Sequence, residues 1–183
     1  ILHSPHLETL KDKDIEVLLM TDPVDEFVIQ SLPEFEKKKF KSAEKGDLGL
    51  DKVDDAKKET FSSLFEKIKS ELDDKIKEVK PSSHLKDSVS CLSGDAYDMS
   101  SYMEKLLKAS GQSMPDSKRI LELNISHPVM EKIQSIYEKN NDDASLKCYS
   151  NLLYDLAIVG EGGKIENPAR FSKIIGEVMA KAL

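Results

Sequence analysis

Apolar positions recur most insistently between Ala144 and Leu183. Tyr149, Leu152, Leu153, Leu156 and Ala157 fall at helical spacing, and Phe171, Ile174, Ile175, Val178, Met179 and Ala182 repeat the pattern. Between them lies Gly160-Glu161-Gly162-Gly163, followed by Asn167-Pro168, a capping residue before a first-turn proline. The pattern predicts a helical hairpin. From Leu152 to Val159 only Asp155 is polar. A helix that is apolar nearly all round needs cover on several sides. Periodicity leaves two arrangements open. The hairpin packs only on its own domain, or it also joins a second copy as a four-helix bundle across a twofold axis.

Upstream, Ser4-Pro5 predicts a short helix with Leu7 and Leu10 inward. The run from Ile15 to Met20 reads as a buried strand of an α/β sheet. Thr21-Asp22-Pro23 opens a helix to about Leu32, and Phe35 to Lys45 reads as a second strand. From Val53 to Ile76 the pattern is one long helix, with Phe61, Leu64, Phe65, Ile68, Leu72 and Ile76 as its stripe. Ser88 to Ser93 alternates weakly as a strand, and Ser101 with Glu104 forms a capping box for a helix ending near Gly111. Arg119 to Ile125 is a strand, and His127-Pro128 opens a helix to about Lys139. The fold class is therefore α+β. A small α/β tail occupies residues 1–46, a linker 47–52, and a mixed domain with a short sheet and the helical hairpin 53–183.

Composition narrows the function more than the fold. A net charge of −7 argues against nucleic acid or an anionic membrane as partner. No apolar run approaches the ~20 residues that span a bilayer. Cys91 and Cys148 are far apart and fit no metal or redox spacing, which points to a reduced, cytoplasmic compartment. The chain begins at Ile1 with sequence of mid-domain character, so it is expected to be part of a longer protein.

Little chemistry is legible. His3 and His6 stand three apart, but no cysteine or acid completes a site beside them, so no metal is expected. Gly162-Gly163-Lys164 lacks the earlier glycine of a phosphate loop and has Ile165 where a hydroxyl would meet magnesium. No nucleophile–base pair or carboxylate dyad is present, so no catalytic residue is assigned and no enzyme is expected. More informative are Met99, Met103, Leu106 and Leu107, at i, i+4, i+7 and i+8 on one helical face. A methionine-bearing stripe suits adaptable binding of many partners. On spacing alone an ordinary core helix is the plainer reading.

Several stretches, in chain order, resemble one family. Ile15-Glu16-Val17-Leu18-Leu19-Met20-Thr21-Asp22-Pro23-Val24-Asp25-Glu26-Phe27 resembles the end of the middle domain of the heat-shock protein 90 chaperones. The stretch from Asp98 to Leu106 is similar to the amphipathic helix of that family's C-terminal domain. Arg119-Ile120-Leu121-Glu122-Leu123-Asn124 with His127 resembles its strand-and-helix junction. Leu152-Leu153-Tyr154-Asp155 and Glu166-Asn167-Pro168 resemble its dimerisation hairpin. The short loop at Gly46 to Asp51 and an end without an acidic tail resemble the bacterial branch. Ile125 departs from the family's usual proline after the asparagine.

The resemblance implies an ATP-driven, homodimeric, cytoplasmic chaperone for partly folded clients. It assigns residues 1–46 to the end of the middle domain and 53–183 to the dimerisation domain. Its ATP and magnesium site lies in an N-terminal part preceding Ile1, so this chain is expected to hold no cofactor. By position, Phe27 and Gln30, with Met99, Met103, Leu106 and Leu107, match client-contacting residues, which favours an exposed Met99 stripe. Tyr149, Leu152, Leu153, Leu156, Ala157, Phe171, Ile174, Ile175, Val178 and Met179 are the expected dimer interface. The implied partners are a second copy, client proteins and other chaperones.

Overall fold

The computed structural model describes residues 2–46, 48–50, 53–95, 98–99, 103–104, 107, 110–111 and 117–182, with Ala182 as backbone alone. The capping-box residue Ser101, Leu106, and Asp47, Asp51 and Lys52 of the expected linker lie outside the described residues.

The chain opens with a 3₁₀ turn, Pro5–Leu7, that runs into α1, Glu8–Asp12. Leu7 and Leu10 are buried, as their spacing predicts. A second helix, α2, spans Asp25–Ser31. β1, Glu34–Phe35, and β2, Lys38–Lys39, form a minimal antiparallel hairpin. Its two turn residues, Glu36 and Lys37, both have positive φ, the backbone of a type I′ turn.

The region before Gly46 departs from expectation in two places. Residues 15–20 are not a strand, and Ile15, Leu18, Leu19 and Met20 are all exposed. The stretch 35–45 is a two-residue ladder plus irregular chain, not a strand. A strand exists only where a neighbour supplies its hydrogen-bond ladder, and no described strand runs beside 15–20.

The core is a three-stranded sheet of order β3-β5-β4, with β3 at Ile76–Pro81, β4 at Ser90–Ser93 and β5 at Arg119–Leu123. β5 is central, parallel to β3 and antiparallel to β4. A helix of 18 residues, α3 (Asp55–Leu72), lies on the sheet. Its side-chain cap is Asp54, which accepts from the Ala56 N–H at 2.9 Å. The predicted stripe of Phe61, Leu64, Phe65, Ile68 and Leu72 is buried. Ile76 is buried too, but as the first residue of β3 and not as the end of a helix. The helix stops at Asp73, whose φ of 47° leaves the helical region, and a 3₁₀ turn at Asp73–Lys75 leads into the strand.

α4, Pro128–Lys139, begins at His127, whose Nδ1 accepts from the Val129 N–H at 3.2 Å. α5, Ala144–Gly160, packs against α3 and across β4, and α6, Pro168–Ala182, lies on α5. The predicted hairpin is therefore present. α5 ends in a Schellman motif: Gly163 N–H donates to Ile158 O at 2.8 Å and Gly162 N–H to Val159 O at 2.9 Å, with Gly162 at φ 68°. A side chain on Gly163 would meet Ile158 at 2.8 Å, so this position needs glycine for space as well.

The first residues are stitched to the sheet. Thr9 Oγ1 donates to His84 O at 2.6 Å. The Glu8 carboxylate accepts from the N–H groups of Lys86, Asp87 and Ser88 at 2.7, 2.9 and 3.1 Å, and from the Ser88 hydroxyl. Burial alone raises its pKa, but the Ser88 hydroxyl and those N–H groups hold it below the usual glutamate range. A carboxyl depressed in the folded state stabilises at pH above its unfolded pKa, about 4.3, and loses that contribution as pH falls through the lower folded value. The protection factors of the Lys86, Asp87 and Ser88 amides are therefore expected to fall selectively as pH drops below the unfolded value. Glu8→Gln should show the lowered protection at neutral pH; protection unchanged between the two would remove Glu8 as the fastener.

Candidate dimer and client-binding surfaces

α5 and α6 carry the expected interface, and the fold divides it. Leu153, Ala157 and Ile174 are buried within one copy. Tyr149 is half-buried and packs against the main core. Leu152 and Leu156 on α5, and Phe171, Ile175 and Val178 on α6, stay half-exposed, and Met179 is exposed at 57%. Val159, exposed at 48%, continues the Leu152–Leu156 row one turn on. It was not among the expected residues, although the i, i+4, i+7 spacing contains it. Two rows thus run along the hairpin, Leu152–Leu156–Val159 and Phe171–Ile175–Val178, with no cover from their own chain sufficient to bury them.

The one polar residue in the apolar part of α5 fixes the hairpin internally. Asp155 is 1% exposed, and Arg170 Nη2 donates to both its oxygens, at 2.9 and 2.6 Å. Arg170 Nη1 donates to Asn151 Oδ1 at 2.8 Å. A guanidinium with one nitrogen on both carboxylate oxygens and the other on Asn151 sets the rotation of one helix against the other. Arg170 is itself held at the start of α6, where its N–H donates to the Asn167 side chain at 2.9 Å. At the other end of the sheet, Arg119 joins β5 to the hairpin turn through Glu161 and to Leu92 O at 2.9 Å.

The expected client residues lie apart from this face. Phe27 is 57% exposed on α2, Gln30 is exposed on the same helix, and so are Val28 and, just before the helix, Val24. Met99 is exposed, Leu107 half-buried, and Met103 buried at 7%. Met103, Glu104 and Leu107 are helical. The stripe read from spacing is therefore split, with Met99 outward and Met103 inward.

The turn Gly160 to Lys164 is no phosphate cradle. It closes the carbonyl end of α5, and a helix C-terminus carries the negative pole of the dipole. Among the described residues no helix is long and apolar enough to cross a membrane.

The family model described as Hsp90 protein matches residues 1–183. The chaperone protein HtpG of Frankia casuarinae is 40% identical over 193 residues, covering 100% of this chain and 30% of the relative. HtpG of Geobacter sulfurreducens is 40% identical over 186 residues, covering 96% and 28%. HtpG of Mycobacterium tuberculosis is 40% identical over 192 residues, covering 100% and 30%. The chain thus spans about 30% of the length of the curated relatives it matches. With a match along its whole length and relatives of this identity, the chain belongs to the Hsp90 protein family.

Proposed function

We propose that this chain is the pairing and client-holding part of an ATP-dependent, cytoplasmic chaperone. Two copies join through α5 and α6 in a four-helix bundle, and partly folded clients rest on α2 and around Met99. ATP and magnesium act in a part of the whole protein outside this chain, which itself neither binds nor hydrolyses nucleotide. Residues 1–46 are the end of the domain that precedes the pairing domain at 53–183. The observation that carries the reading is the pair of half-exposed apolar rows on the hairpin, in a chain of this family. The named relatives are chaperones, which supports the role.

Holding many clients calls for weak contacts with each. A few apolar side chains, at about 1.5–3 kcal/mol apiece when fully buried, give that after ordering costs. Two such surfaces on one dimer add avidity. The dimer contact has to outlast them, so a dry interface of about 2,000 Å² or more is expected.

The test uses Phe27→Ser with Met99→Ser. Both residues are exposed, so stability should move by no more than about 0.5 kcal/mol. Suppression of aggregation of a heat-labile protein should fall several-fold. Unchanged suppression would leave the alternative, a dimerisation scaffold with no client surface. Burial of Met103 favours that alternative for this one residue: Met103→Ser is expected to act on stability first.

A further inference from the structure

The fold brings His6, His84 and Cys91 together in a buried cluster that neither the pairing nor the client surface uses. One ligand-capable atom from each lies within 4.8 Å of the others. His6 comes from the first turn, His84 from the segment after β3, and Cys91 from β4. They are 3%, 5% and 0% exposed. The two imidazoles stack with centroids 5.5 Å apart.

We propose that His6, His84 and Cys91 form a binding site for a borderline-soft divalent ion of the zinc type, which clips the first turn of the chain to the sheet. Cys91 Sγ stands 3.6 Å from His84 Nε2. With Zn–S near 2.3 Å and Zn–N near 2.0–2.1 Å, a tetrahedral ion separates such a pair by about 3.5–3.6 Å. The other nitrogen of each ring has a carboxylate beside it. His84 Nδ1 is 3.4 Å from Glu122 Oε2, and His6 Nε2 is 3.5 Å from Glu161 Oε1. A carboxylate behind a histidine orients the ring and raises its basicity toward a metal. With Nε2 of His6 turned to Glu161, its Nδ1 is buried and makes no hydrogen bond. A buried ring nitrogen with an unused lone pair is costly as a packing residue and apt as a ligand.

The field at the site has the right sign. The carboxylates of Glu122 and Glu161 both stand within 3.5 Å of a ring nitrogen of the cluster, with the Arg119 guanidinium paired to Glu161. The same negative surroundings attract a dication, and a dication in turn holds a thiolate. On binding, the Cys91 S–H bond breaks, its proton leaves to solvent, and a metal–sulfur bond forms; both imidazoles bind neutral. His, His and Cys leave one position of a tetrahedron for water. The ligand set favours zinc over magnesium or calcium, which prefer oxygen donors.

Cobalt(II) titration of the metal-stripped full chain tests this, because tetrahedral cobalt–thiolate gives a charge-transfer band that oxygen and imidazole sites lack. One equivalent per chain should produce the band, and zinc should abolish it by displacement. Cys91→Ser should eliminate the band, whereas Cys148→Ser and His3→Ala should leave it. His6→Gln should weaken cobalt binding by more than the roughly 10–100-fold that losing a mere outer-shell partner costs. Zinc should also slow proteolysis between Lys13 and Val24, the segment that follows the clipped turn. The wild-type titration stands alone should Cys91→Ser not fold: absence of the thiolate band, or a band that survives Cys91→Ser, overturns the site.

Discussion

Leu156→Asp combined with Ile175→Asp is expected to turn a dimer into a monomer at micromolar concentration while leaving each copy folded. Both side chains are half-exposed in a single copy, so the monomer tolerates the charge. In a twofold interface every substitution occurs twice. Four apolar side chains would leave a dry contact and four carboxylates would have to be desolvated in it. At about 1.5–3 kcal/mol for each side chain lost, the penalty is roughly 6–12 kcal/mol, enough to shift the dissociation constant by more than about a thousandfold. Analytical ultracentrifugation across nanomolar to micromolar concentrations reads the result. Ile174→Asp is the wrong probe, although it belongs to the same periodic set, because Ile174 is buried inside the copy and its loss would unfold the hairpin. A dimer that survives the double substitution at micromolar concentration would show that pairing runs through another face.

The difference between Ile174 and Ile175 shows what periodicity carries and what it lacks. Spacing marks which positions are apolar together, and it placed the helices α3, α4, α5 and α6 because their stripes are long and their caps local: Asp54, His127, Asp143 and Asn167 each accept from a backbone N–H within three residues. It does not say which half of an apolar surface its own chain covers. The same blindness displaced β3. Ile76 continues the α3 stripe four residues after Leu72, so the helical pattern runs smoothly through the point where Asp73 turns the chain. The first buried position of the strand happens to fall in phase with the helix. At Ile15 to Met20 an apolar run was legible, but the partner strand a sheet needs is not a local property. His6 likewise paired by spacing with His3, whereas the fold pairs it with His84 and Cys91. Met99 and Met103 fall at one helical spacing, yet the first is exposed and the second buried.

Arg170→Met is expected to destabilise each copy by about 3–5 kcal/mol, the cost of leaving a buried charge without its partner. Asp155 has 1% of its side chain in contact with water, and both its oxygens accept from the Arg170 guanidinium. Asp155→Ala should cost less than the arginine change, because Arg170 is 29% exposed and can turn toward solvent while keeping Asn151. Replacing both, Asp155→Leu with Arg170→Met, should restore most of the stability, since a matched apolar pair avoids both desolvation costs. Urea unfolding at one fixed chain concentration measures all three, the fixed concentration being needed because any association of copies would add to apparent stability. The non-additivity is the informative quantity: two single losses larger than the double loss identify a coupled pair. The double variant also separates stability from specificity. Arg170 sets how α6 rotates on α5, and with it where Phe171, Ile175 and Val178 stand relative to Leu152 and Leu156. A double variant that folds as well as the parent yet dimerises more weakly would assign the ion pair to aligning the two rows. A single Arg170→Met variant costing under about 1 kcal/mol would instead place it among ordinary surface pairs.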